Sequence, residues 1–512
     1  MQMEVCEMIR TAVTENGLVR GIEAADPRIT AFKGIPFAAP PVGDNRWRAP
    51  QPCPDWEGTL EAYRFAPISV QDTPGLGDDI YCREWHVDPD IAMDEDCLYL
   101  NVWTSAKSTD EKQPVLVWFF GGGYQWGYTA EMEFDGERIA RRGITVVTVN
   151  YRLNAFGFLA HPDISAQQPE APTNFGHLDQ QAGLRWVIRN IEAFGGDPDN
   201  ITIAGQSAGG GSVLAQMTNP ENFGSFQKAV IHSAMIRDPY GSENAIRQKT
   251  LAEAEEDGVK LFEFLGVKTL EEARKLDPLF IREKYNEYAK NNIRMATVID
   301  NKFCFGDSIA LYMNNEHARV PVMSGNTGDE FLNFINAESD DDFVDKVNSI
   351  FGESAKEFLE LDEAWKKEGN KYAIVNGIEC TIKSVFQENH KYGNTKNYYY
   401  RFDSDIPGWD NPGTFHSVDL WFFFETLAKS WRPFTGKHYD LARYMCNYYC
   451  NFIKTGDPNG LDANGEEMPH WDTYSKENPK SMVFSSDGSY IENEDSKFKK
   501  TLIEKITKEL KK

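Results

Sequence analysis

The chain lacks any run of the ~18 apolar residues needed to span a bilayer, and its opening stretch, MQMEVCEMIRTAVTENG, is acidic with no apolar segment of signal-peptide length. Both absences predict a cytoplasmic protein with no membrane partner. Basic residues are in deficit: 53 Lys and Arg stand against 79 Asp and Glu, a formal net charge of −26. A field of that sign repels phosphate backbones and anionic headgroups, which argues against nucleic-acid binding. It favours solubility and, secondarily, the attraction of cationic substrates. Cysteine is sparse. The eight residues Cys6, Cys53, Cys82, Cys97, Cys304, Cys380, Cys446 and Cys450 are scattered and predict reduced thiols. Cys446 and Cys450 have no His or Cys neighbours at metal spacing, so two thiols on one helical face are expected. Internal repeats and low-complexity linkers are missing too.

What is present is material for a large core: 41% hydrophobic residues, 13% aromatic, with 12 Trp and 32 Phe. Strand-like apolar runs fall at 98–103, 115–120, 145–151, 201–204, 229–231, 320–323 and 398–402, and helical periodicity at 182–194 and 208–217. That alternation predicts an α/β fold: a central, mostly parallel twisted sheet with helices on both faces. Ligands of such sheets sit beyond the carboxyl ends of the strands. The strand signal vanishes at about 241–312 and again at about 341–387, where charged helical sequence predicts insertions covering the rim of one domain spanning 1–512. Near the end, Phe498, Leu502, Ile506 and Leu510 share one helical stripe, the mark of a terminal helix packed on the body.

Gly205-Gln206-Ser207-Ala208-Gly209 fits G-x-S-x-G, between an apolar strand and a helix-forming run. A strand turning abruptly into a helix strains the serine backbone, and flanking glycines remove side chains that would clash. The hydroxyl is then exposed, beside a helix N-terminus able to stabilise a developing oxyanion. A second glycine run, Gly121-Gly122-Gly123, ends the strand at 115–120 and offers bare amides for the same purpose.

A serine nucleophile needs a base, and histidine, with a pKa of ~6.5, is the usual one. In the order nucleophile, acid, histidine, only His390, His416, His438 and His470 lie late enough. His416 stands out, on a loop after the strand at 398–402. For the acid, the polar turn after the strand at 320–323 presents both Asp329 and Glu330, and spacing does not choose between them.

At these residues the chain resembles the type-B carboxylesterase/lipase family of the α/β-hydrolase fold, which includes p-nitrobenzyl esterases and cholinesterases. The likeness runs from about Gly17 to Tyr474 through FKGIPFAAPPVGDNRWRAPQP, EDCLYLNVW, FFGGGYQWG, VVTVNYRLNAFGFL, IEAFGGDPDNITIAGQSAGG, FQKAVIHS, FHSVDL and NFIKTGDPN. It implies Ser207 as nucleophile, Glu330 as acid and His416 as base, with oxyanion donors from Gly122, Gly123 and Ala208. It implies that Ser233 supports the acid, and that Arg46 with Glu95, and Arg152 with Asp179, form structural ion pairs. Phe120 replaces a histidine common in relatives. Gln206 replaces a glutamate found beside the nucleophile of cholinesterase-like relatives, which weakens the case for a choline ester. Cys97 matches a cysteine that is disulfide-bonded in secreted relatives, with Cys82 its nearby candidate partner; free thiols are expected here.

The expectation is a serine carboxylesterase acting on small-molecule esters through an acyl-enzyme, with no metal or organic cofactor. The residues Trp421 to Phe424, Tyr124, Trp126 and Tyr128 are candidate pocket walls, with core packing the commoner fate of such aromatics. An amidase or thioesterase is the alternative within enzymes, and a non-catalytic adhesion module the alternative outside them. Acyl preference and oligomeric state are not legible.

Overall fold

The computed structural model describes residues 8–237, 248–330, 337–361 and 377–511. An eleven-stranded sheet runs through it in the order Tyr490–Glu492, Ser481–Phe484, Asn397–Phe402, Val322–Thr327, Lys228–His232, Gly196–Gln206, Gln113–Phe119, Thr145–Val149, Tyr99–Thr104, Thr30–Pro36 and Ile22–Glu23. The strands from Ser481–Phe484 to Thr145–Val149 are parallel to one another, and antiparallel strands close both edges.

The central strands are apolar on both faces because both faces are covered. In Gln113–Phe119, Val115 and Val117 point into one core with Ile201, Val213 and Val385, while Leu116 and Trp118 point into the other with Val146, Trp421 and Tyr449. The expected sheet is therefore present, with shifted ends. The strand expected at 201–204 runs over Gly196–Gln206 and delivers the chain directly to Ser207. The one expected at 320–323 is Val322–Thr327, whose polar end is buried: Ser324 Oγ donates to the Ile231 carbonyl at 2.7 Å, and Tyr399 donates to Asn326 Oδ1 at 2.8 Å.

The helix expected at 182–194 is Phe175–Asn190 followed by a 3-10 turn, Ile191–Phe194, and the next is Ala208–Thr218. Within 241–312 lie the helices Leu251–Leu265, Leu270–Arg274, Pro278–Ala289 and Ser308–Met313. Thr250 and Asp277 cap the first and third of these. The absence of strands expected there is corrected by a short parallel ladder between Lys249–Thr250 and Val298–Ile299, too brief for an alternation signal. Residues 241–247 lie outside the described residues. The stretch 341–387 holds helices Asp340–Phe351, Ala355–Leu361 and the start of Gly377–Lys391, with 362–376 outside the described residues. The terminal helix is Lys497–Leu510; Leu502 and Ile506 are buried against Phe343 and Val347, and the Phe498 side chain lies outside the described residues.

The two implied ion pairs form. Arg46 grips Glu95 through Nε at 2.7 Å and Nη2 at 2.5 Å, and Arg152 grips Asp179 at 2.8 and 2.6 Å. Cys82 and Cys97 are unpaired thiols, Cys446 and Cys450 sit 3.9 Å apart on one helix, and Cys6 lies outside the described residues.

Candidate active site

Ser207 occupies the single residue between strand Gly196–Gln206 and helix Ala208–Thr218, at φ +54° and ψ −123°. An L-residue in that region stores strain, held here by packing and hydrogen bonds. The Ser207 amide donates to the His232 carbonyl at 2.9 Å, and its own carbonyl accepts from Gly211 at 2.8 Å. The flanking glycines are obligatory, since a Cβ on Gly209 would lie 2.1 Å from the Phe119 carbonyl oxygen. Gln206 and Ala208 are buried while Ser207 is partly open to the cavity.

His416 and Glu330 meet from two loops. His416 Nδ1 is hydrogen-bonded to Glu330 Oε2, with both side chains buried, and the Thr327 amide donates to Glu330 Oε1 at 3.1 Å. Burial works to raise the Glu330 carboxyl. The charge and hydrogen bond of His416, then Ser233 and the Thr327 amide, outweigh it and hold that carboxyl below its ordinary value. Ser233, itself at φ +48°, lies beside the carboxylate, although its Oγ falls short of full hydrogen-bond geometry.

Asp329, the competing acid, faces the other way and clamps the histidine loop. Its amide donates to the Thr414 carbonyl at 3.2 Å and to Thr414 Oγ1 at 2.9 Å, while its Oδ2 accepts from the Thr414 amide at 2.8 Å and hydroxyl at 3.0 Å. The other late histidines are elsewhere: His438 caps helix Gly436–Thr455, His470 lies beside Asp472 on the surface, and His390 sits in the last turn of Gly377–Lys391.

Gln206 is placed unexpectedly. Its Nε2 donates to His416 Nε2 at 3.1 Å, so the ring is held from both sides, Nδ1 by Glu330 and Nε2 by the amide.

The glycine run lies against Ser207. A Cβ on Gly121 would be 3.2 Å from Ser207 Cβ and 2.6 Å from the Gln206 carbonyl, and one on Gly122 would be 2.2 Å from the Trp126 carbonyl. Gly122 and Gly123 adopt φ +110° and +62°. Gln71 holds the loop through Gly127, accepting from its amide at 2.8 Å and donating to its carbonyl at 3.0 Å. Phe120, in place of histidine, is buried and stacks on Tyr151 with ring centroids 4.3 Å apart.

Ser207, His416 and the three glycines line a cavity of about 1010 Å³. Trp126 is on its wall, whereas Tyr128 and Trp421 to Phe424 are core residues and Tyr124, partly buried, packs against the core. Sequence reasoning missed Tyr81, Trp85 and His86, which line the cavity, because nothing in their local pattern marks a chain excursion that returns to the strand ends. The helix Pro278–Ala289 adds Arg282 and Asn286 to the wall.

A serine at a strained turn after a central parallel strand, with Glu330 and His416 paired from the loops after Val322–Thr327 and Asn397–Phe402, is the arrangement of an α/β-hydrolase. The known proteins agree. A model of the Carboxylesterase family matches residues 9–501. The para-nitrobenzyl esterase of Bacillus subtilis is 31% identical over 94% of this chain and 96% of its own. The fumonisin B1 esterase of Sphingopyxis macrogoltabida is 30% identical over 81% of this chain and 75% of its own. Among solved structures, a carboxylesterase of Geobacillus stearothermophilus superimposes with a TM-score of 0.75 at 27% identity, covering 96% of this chain and 99% of that one. A PNB esterase does so with 0.77 at 25%, covering 97% and 99%. The chain belongs to the carboxylesterase family and is a carboxylic ester hydrolase.

Proposed function

We propose that this enzyme cleaves small-molecule esters by two-step acyl transfer on Ser207. The observation that carries the reading is the His416–Glu330 pair beside the strained Ser207 turn in one cavity. His416 Nε2 takes the Ser207 hydroxyl proton as Oγ attacks the ester carbonyl. The proton passes to the departing alcohol, and water repeats the sequence to release the acid. Glu330 keeps the proton of the resting imidazole on Nδ1 and stabilises the imidazolium without accepting its proton. The amides of Gly122, Gly123 and Ala208 are assigned to the oxyanion, and Ser233 steadies Glu330. For Nε2 to serve as base, the Gln206 amide must yield its place to the Ser207 hydroxyl, so substrate entry displaces Gln206 from the ring. No step calls for a metal or organic cofactor.

Hydrolysis of p-nitrophenyl acetate, butyrate and octanoate by wild type and Ser207→Ala at neutral pH tests this reading. The expected loss in the variant is at least about 10⁴-fold in kcat. A folded variant that keeps its activity would assign the nucleophile elsewhere.

A further inference from the structure

The glycine loop beside Ser207 holds a backbone that it cannot hold by itself. Gly122, Gly123 and Tyr124 follow one another at φ +110°, +62° and +61°, and the last of these carries a side chain that disfavours that region. A strained run of this kind persists only where its surroundings over-determine it. The Gln125 and Trp126 amides donate to the Gly122 carbonyl at 2.9 and 3.1 Å and close the turn locally. A further tie reaches out of the loop. The Gln125 side chain, 4% exposed, donates from Nε2 to the Gly123 carbonyl at 3.2 Å and to the Met295 carbonyl at 2.7 Å. Its Oε1 accepts from the Tyr285 hydroxyl at 3.0 Å, and that hydroxyl accepts from the Met295 amide at 2.8 Å. Both N–H groups of the Gln125 amide and the Tyr285 hydroxyl proton are thus used, and the two carbonyls admit the amide in one orientation only. Tyr285 stands on helix Pro278–Ala289, which also reaches the loop through Asp72: Asn286 Nδ2 and Trp126 Nε1 both donate to that carboxylate.

We infer that Gln125 and Tyr285 are positioning residues of the oxyanion hole, a strut from the helical insertion that sets the peptide following Gly123. The inference rests on the esterase reading above and on its assignment of the Gly122 and Gly123 amides to the oxyanion. Oxyanion donors act only when they already lie where the negative charge develops, and a loop free to relax from positive φ loses that advantage. Neither side chain lies on the wall of the Ser207 cavity, so the effect of each passes through the backbone of the loop rather than through contact with substrate. Gln125 is the loop's own contribution and Tyr285 the insertion's, 160 residues away in sequence. Gln71 grips the same loop at Gly127, so the two glutamines hold it at two points. The transition state, which carries the oxyanion, feels the loss of the strut; the bound ester, whose carbonyl is neutral, does not.

The test compares wild type with Tyr285→Phe and Gln125→Leu on p-nitrophenyl butyrate, with rates expressed per site titrated by diethyl p-nitrophenyl phosphate so that misfolded protein drops out. In each variant kcat is expected to fall by at least about 10-fold, with KM within about threefold of wild type. Trifluoromethyl hexyl ketone takes Ser207 Oγ at its carbonyl carbon while the serine proton passes to His416, and its oxygen becomes a stable oxyanion. Its inhibition constant is expected to rise in step with the loss of kcat/KM. The corresponding alcohol forms no oxyanion and is expected to bind all three proteins alike. Hydrogen–deuterium exchange of the peptide covering 120–128 is expected to quicken in both variants, a reading that needs no turnover. An unchanged kcat per site, a loss confined to KM, or a ketone and alcohol weakened equally overturns the strut. Inertness of wild type toward the ester overturns the esterase reading instead, while the exchange still decides whether the strut holds the loop.

Discussion

Gln206 and Asp329 act on the same histidine from opposite sides, one at the ring and one at its loop. Replacing Gln206 by Glu places a carboxylate next to Nε2, which favours the imidazolium. The acid limb of the kcat/KM profile in Gln206→Glu is expected to move to higher pH by about one unit, read from rates between pH 5 and 9; an unmoved limb would separate Gln206 from the base. For Asp329→Ala, loss of two of the four Thr414 hydrogen bonds loosens the His416 loop. A fall in kcat of roughly 10- to 100-fold with little change in KM is expected. The sequence displayed both acids of this turn but not their division of labour. Adjacent residues on a turn point in opposite directions, and only the position of Thr414, 85 residues away, decides which one meets the imidazole.

At the scale of elements, the strand-to-helix turn and the glycine loop were legible because they need particular residues. Glycine at 205, 209 and 122 is demanded by backbone approaches closer than any Cβ tolerates. Gly122→Ala is accordingly predicted to lower kcat by at least about 100-fold, since the 2.2 Å approach to Trp126 must be relieved by shifting the loop. Steady-state rates with a matched thermal-unfolding curve check it. The polar end of strand Val322–Thr327 and the ladder at Lys249–Thr250 were not legible, because the first has no apolar alternation and the second has only two residues per strand. The terminal helix was legible as a stripe, yet its anchoring is electrostatic as well. Lys383, fully buried, pairs with Glu379 at 2.7 Å and Asp495 at 2.5 Å, and Lys499 reaches Glu379 from the terminal helix at 2.7 Å. Lys383→Met leaves buried Asp495 without its countercharge and Glu379 with Lys499 alone, and is expected to cost about 3–5 kcal/mol, measured by urea unfolding.

Over the whole molecule, buried titratable groups set the dependence of stability on pH. Burial raises Asp419 from 3.8 to about 7, with Glu330 adding to it and the Tyr400 hydrogen bond opposing. A carboxyl with a raised folded-state value contributes stability below its unfolded value, and that contribution is lost as pH rises through the folded one, here from about 4 to 7. Burial lowers His177 to about 4 and His232 to about 3, so both weaken the fold as pH drops below ~6.5. The two kinds of group oppose each other between pH 4 and 6.5. In Asp419→Asn the carboxyl contribution is gone, so stability relative to wild type should rise with pH by up to about 1.4 kcal/mol per unit between pH 5 and 7. Urea unfolding at three pH values reads this directly, and parallel curves would contradict it. Composition had announced the acidity and the large core, but these groups become visible only once the fold has closed over them.

The central claim, that Ser207 carries the acyl group, is tested most directly by trapping the nucleophile. Diethyl p-nitrophenyl phosphate transfers its phosphoryl group to an activated serine and releases p-nitrophenolate, one equivalent per site. Intact-mass measurement is predicted to show one diethylphosphoryl adduct per chain, mapped by peptide sequencing to Ser207 and absent from Ser207→Ala. An adduct on another residue, or stoichiometric labelling that survives in Ser207→Ala, would contradict the account.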